Sequence, residues 1–131
     1  MNTLNHYTDK LTTELFNNAG AFFAFGQKQF DEKKQDGITY VSMGAGLICP
    51  KDKAKEVLEG VDNITADGIK ARLEEYGVEK IIQYELANHE SHFSFDHVTV
   101  RAILSDYGVT DEMFDEGLKI YMDYCNENDL F

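Results

Sequence analysis

Leu4, Tyr7, Leu11 and Leu15 recur at helical spacing, so the chain from about Leu4 to Asn17 reads as an amphipathic helix with one apolar stripe to bury. Thr3 stands where an N-cap belongs, and Asn17-Asn18-Ala19-Gly20 supplies residues suited to a left-handed stop. The pattern then changes three times before Pro50. Ala21 to Phe25 is short, apolar and aromatic between Gly20 and Gly26, which predicts a strand or an aromatic plug buried on both faces. Gln27 to Gln35 is polar apart from Phe30 and predicts a short surface helix pinned by that ring. Asp36-Gly37 marks a turn, and Ile38 to Met43 has the β-branched and aromatic content of a strand. Gly44-Ala45-Gly46 breaks it, Leu47-Ile48-Cys49 resumes it and Pro50 stops it, as in a hairpin or small sheet.

Beyond Pro50 the pattern is helical. Lys51 to Glu59 carries Ala54, Val57 and Leu58 at helical spacing, with Gly60 as its expected end. Asp62 to Gly68 is polar and reads as turn-rich, with Thr65 able to open the next helix. An internal match follows at an offset of 31 residues: Ile69 to Val78 (IKARLEEYGV) aligns with Val100 to Val109 (VRAILSDYGV). In each copy Tyr-Gly-Val fits a helix end, the glycine taking positive φ. This predicts two helix–YGV–helix hairpins, at about residues 64–90 and 96–127, or else two ordinary Tyr-Gly caps. Two copies are too few for a solenoid. The last helix, capped by Thr110, buries Phe114, Leu118, Tyr121 and Cys125, with Met113, Ile120 and Tyr124 widening that stripe. These elements amount to a mainly helical α+β single domain over residues 1–131, with a two- or three-stranded sheet in residues 21–49.

Composition narrows the setting. Met1 to Lys10 is polar and no apolar run approaches the ~20 residues that span a bilayer, so a cytoplasmic protein without membrane attachment is expected. Cys49 and Cys125 form no CxxC pair and read as buried thiols. The formal net charge is −12, and residues 81–131 alone set eleven acids against Arg101 and Lys119. Phosphate contacts need lysine and arginine, so no direct nucleic-acid binding is expected through this part, and a basic partner is expected to be drawn to it instead. Asp111, Glu112, Asp115, Glu116 and Asp123 share one helix and are the candidate partner-binding residues. Acids in its first turns also suit the helix dipole. Gln27 and Lys28, after the aromatic run, form a second candidate contact segment.

Candidate chemistry is sparse. Glu85, His89, Glu90 and His92 combine imidazoles with carboxylates, the groups a metal site or an acid–base pair requires. The spacing is not HExxH, and exposed histidines at a helix end explain the same letters, with Asp96 capping a helix over Val98–Asp106. Gly44-Ala45-Gly46 lacks the ending of a phosphate loop and fits a strand kink. No nucleophilic triad is placed by local motif and no cofactor is called for, so a non-enzymatic protein is expected.

The segments GAFFAFGQKQFDEK, YVSMGAGLICPK and IIQYELANHE together resemble a family of short, acidic, uncharacterised proteins carried by bacteriophages and other mobile elements. The resemblance covers most of residues 1–95 and brings no active site with it. It implies a genomic setting in which small acidic proteins are frequently inhibitors of host defence nucleases. An anti-CRISPR-like inhibitor, filling a basic nucleic-acid channel by charge mimicry, is the function expected from it. A small metal-binding protein or hydrolase using the Glu85–His92 cluster is the alternative, and an oligomeric accessory protein a third.

Overall fold

Leu4–Ala19 forms α1, which ends at Gly20 (φ +77°) with Ala21 N–H donating to Phe16 O and Gly20 N–H to Asn17 O, the paired bonds of a Schellman cap. The computed structural model describes residues 1–91 and 97–130. Within them the chain is mainly helical α+β, and its contacts fall into two compact units, Leu4–Gly68 and Met1–Thr3 with Ile69–Phe131.

In the first unit, β1 (Phe22–Phe23), β2 (Tyr40–Gly44) and β3 (Leu47–Pro50) make an antiparallel sheet in the order β1-β3-β2. Ala45 and Gly46 join β2 to β3, both at positive φ (+51° and +82°), the backbone that a two-residue type I′ hairpin demands. Helix α2 (Gln27–Lys33) is seated as expected: Phe30 meets Phe22 and Tyr40, the latter edge-on at 5.7 Å. Side chains of α2 also engage the backbone of the β1 segment, Gln29 Oε1 accepting from Phe25 N–H and Lys33 Nζ donating to Phe23 O.

Several expectations for this unit are overturned. Phe23 and Phe25 are not buried on both sides: Phe25 is 74% exposed and stacks on Phe23. The strand is only two residues long and Phe25 lies past its end, its ring covering the space a Cβ would need at Gly46. Gly60 does not end a helix, and Asp62–Gly68 is not a turn. Instead α3 runs unbroken from Ala54 to Tyr76. A Cβ on Gly60 would lie 2.7 Å from Leu15 Cδ2, and one on Gly68 2.6 Å from Thr8 Cγ2, so both glycines admit side chains of α1. That seating turns Thr8 inward and leaves Leu11 exposed, against the expected stripe, while Val57 is buried and Leu58 is not.

In the second unit, α4 (Val78–Asn88), α5 (Val98–Ser105) and α6 (Asp111–Glu127) pack Ile81, Leu86, Val100, Leu104, Phe114 and Tyr121 into one core. Gly77 (φ +81°) and Gly108 (φ +76°) stand where the internal match places them. They are not equivalent. Gly77, with ψ 153°, passes directly from α3 to α4, whereas Val109 N–H donates to Leu104 O and Gly108 N–H to Ser105 O in a second Schellman cap. The expected cap at Asp96 lies outside the described residues, and His97 occupies the N-cap position of α5. Cys49 and Cys125 are both fully buried, each in the core of its own unit.

Candidate functional site: an acidic helix and the groove beside it

Helix α6 starts where Thr110 Oγ1 accepts from Met113 N–H at 3.2 Å. Its inner face is the expected one: Phe114, Tyr121 and Cys125 are buried and Leu118 is half-buried. Ile120 and Tyr124 do not widen that face, being 55% and 56% exposed.

Of the five acids singled out in α6, all exposed, two are neutralised locally. Arg101 donates to Asp111 Oδ1 at 2.8 Å and to Asp115 Oδ1 at 3.5 Å, and its guanidinium lies 4.2 Å from the centre of the Phe114 ring. Arg101 thus reaches across from α5 to the first two turns of α6. Among the described residues Glu112, Glu116 and Asp123 have no ion pair. Glu112 sits in the first turn, where the helix dipole favours it; Glu116 and Asp123 do not.

Beside this row lies a groove of about 520 Å³ between α4 and α6. Val78, Ile82, Met113 and Ile120 give it apolar walls, and Glu79 and Glu116 lie along it with Lys80 and Gln83. Gly117 makes it possible. A Cβ there would stand 2.5 Å from Ile82 Cγ2, so the two helices approach across a position with no side chain, and Gln83 Nε2 donates to the Gly117 carbonyl at 2.9 Å. The sequence carried a weak sign of this groove in Ile120, which lies off the stripe defined by Phe114, Leu118, Tyr121 and Cys125.

The histidine–carboxylate cluster is arranged otherwise than its spacing implies. Glu85 is buried, its Oε1 accepting from Arg72 Nη1 at 3.0 Å, while its Oε2 lies 3.6 Å from His89 Nε2. Arg72 also donates from Nη1 to Tyr107 Oη at 2.9 Å and from Nε to the Asn2 carbonyl at 3.1 Å. Burial works against the charge of this guanidinium, and its hydrogen bonds to Tyr107 and Glu85 outweigh the penalty and hold its pKa above the ordinary value. Glu90 is exposed at φ +49°, just past the end of α4, and His92 lies outside the described residues. Among the described residues no three His, Cys, Asp or Glu side chains are grouped to hold a metal. Gln27 and Lys28, in the other unit, are exposed on the first turn of α2, where Gln27 Nε2 donates to Asp31 Oδ1.

The fold and this surface define a mainly helical α+β protein with an acidic helix flanking an apolar groove. The chain belongs to DUF7659, a family of unknown function, whose model matches residues 4–124. No curated protein and no solved structure matches it. Among the described residues no helix is long and apolar enough to cross a membrane.

Proposed function

We propose that the protein is a non-enzymatic binding protein of anti-defence type, acting in the host cytoplasm, whose acidic α6 face enters the basic nucleic-acid channel of a host nuclease such as a CRISPR effector. The observation that carries this reading is the set of exposed carboxylates Glu112, Glu116 and Asp123, which have no ion pair among the described residues and which the helix dipole explains only for Glu112. Such a row attracts lysine- and arginine-lined surfaces from a distance and raises association rates more than it deepens affinity. The resemblance to proteins of mobile elements supplies the setting.

The test is a partner captured from host cytosol, identified by mass spectrometry, and measured against the purified chain. Binding weakens steeply with salt, because the attraction is screened beyond ~8 Å at physiological ionic strength. Reversing Glu112→Lys together with Glu116→Lys changes stability by only about 0.5 kcal/mol. The same reversal lowers the association rate at least about tenfold. A nuclease partner indifferent to both salt and the reversal defeats the mechanism.

A second reading, an oligomeric accessory protein, draws on the stacked and exposed Phe23 and Phe25. It requires the mass in solution to rise with concentration and Phe25→Ser to abolish that rise. A monomer at all concentrations rejects it.

A further inference from the structure

We propose that the α4–α6 groove binds a small amphiphilic monocarboxylate, its apolar tail along the groove and its head on Arg72 Nη2, in place of the Met1 side chain that covers that nitrogen. This goes beyond the anti-defence reading and does not depend on it.

The guanidinium of Arg72 is unevenly answered. Arginine has five N–H donors and no acceptor. Arg72 Nε donates to the Asn2 carbonyl at 3.1 Å, and Nη1 donates to Glu85 Oε1 at 3.0 Å and Tyr107 Oη at 2.9 Å. Nη2, on a side chain 1% exposed, has one acceptor among the described residues, the Met1 thioether sulfur at 3.5 Å. Sulfur accepts weakly, and a buried donor left poorly paired is costly. A carboxylate oxygen at that place makes a charge-assisted bond about twice as strong as a neutral one.

The position of Met1 links this donor to the groove. Met1 lines the groove, is 45% exposed, and has an unbranched side chain that adapts readily. A change of its rotamer opens the groove toward Nη2. Val78, Ile82, Met113 and Ile120 then hold a tail, in a space of about 520 Å³ that falls within the range of small-molecule sites. The rim selects no sign, since Lys80 and Met1 stand against Glu79 and Glu116. Choice of the head therefore falls to the buried guanidinium. A cationic head is repelled there and a neutral one gains less. A phosphate head brings a second negative charge beside Glu85, which stays on Nη1 with His89 Nε2 3.6 Å from its other oxygen.

The experiment titrates the full chain, carrying carbon-13 at its methionine methyls, with octanoate, octanol, octyltrimethylammonium and acetate. Octanoate is expected to bind at least about tenfold more tightly than each of the others. It shifts the methyl resonances of Met1 and Met113 and leaves that of Met43, in the other unit, unmoved. Arg72→Met combined with Glu85→Leu leaves no unpaired buried charge and erases the preference for octanoate over octanol. Ile120→Ser, at a position more than half exposed, weakens octanoate and leaves the circular dichroism unchanged. The ligand series on the native chain decides the matter whether or not the double variant folds. Octanol or octyltrimethylammonium binding as tightly as octanoate overturns the role of Arg72. Acetate binding as tightly overturns the groove as the tail site. Saturation that moves Met113 and not Met1 overturns the displacement of Met1. Absence of saturable octanoate binding up to about 1 mM overturns the proposal outright.

Discussion

Arg72 Nη1 donates to Glu85 Oε1 at 3.0 Å in a core where Arg72 is 1% exposed. The pair sits within a wider set of partners, because Arg72 also holds Tyr107 Oη and the Asn2 carbonyl, and Tyr76 Oη accepts from Asn2 N–H at 2.8 Å. Arg72→Met leaves the Glu85 carboxylate buried beside an apolar chain, with an expected loss of about 3–5 kcal/mol. Arg72→Met combined with Glu85→Leu recovers most of it, since the penalty comes from the unpaired charge. Urea unfolding of the two variants checks both outcomes.

Gly77→Ala and Gly108→Ala meet no atom within 4 Å, so their cost is conformational: about 1 kcal/mol for Gly108 at its left-handed cap. Gly77 costs more, because its combination of φ +81° and ψ 153° is one that essentially only glycine adopts. Gly117→Ala acts through the collision with Ile82 and costs roughly 1–3 kcal/mol. Thermal midpoints of the three variants order them.

Ala45 holds φ +51° in the hairpin turn, a position that favours asparagine. Ala45→Asn is expected to raise stability by roughly 0.5–1 kcal/mol without altering contacts elsewhere. A destabilised variant in chemical denaturation contradicts the turn assignment.

Burial, reinforced by the nearby carboxylates of Asp52 and Glu56, pushes the Cys49 thiol above its ordinary value of 9.0. Between pH 9 and that higher folded value, the unfolded chain has released a proton that the folded chain retains. Stability therefore falls as pH rises through this window and is undiminished by this thiol below it. Urea titrations at pH 8 and pH 10 are expected to show this loss in the native sequence and to lack Cys49's share of it in Cys49→Ala. A thiol-reactive dye labels Cys49 only on unfolding.

Much of this architecture was legible because local signals had local causes. Tyr-Gly-Val marked both helix junctions, Thr110 its cap, and Phe30 the pin of α2. Gly60 and Gly68 were misread because a glycine that admits a neighbouring helix looks in sequence like a glycine that stops its own. Only the positions of Leu15 and Thr8 distinguish the two. The burial expected for Phe23 and Phe25 failed because an apolar run says nothing of what packs on its second face. Arg101 and Arg72 were hidden for a related reason: their partners stand 10 to 70 residues away, and a charge count cannot say which carboxylates are already answered. The acids of α6 were visible from the start, whereas the groove beside them required α4 and α6 to be placed together.

Asn2 bonds to Arg72 and Tyr76 across 70 and 74 residues of chain, which looks like a costly closure for any folding pathway. Leu4, however, packs against Gly68, where an added Cβ would come 3.2 Å from Leu4 Cδ1. Once α1 lies on α3, the route from Asn2 to Arg72 is a detour of a few residues at each end of that contact. The loop left to close for the amino-terminal strap is then only a few residues, so its closure is expected to cost far less entropy than a 70-residue loop would.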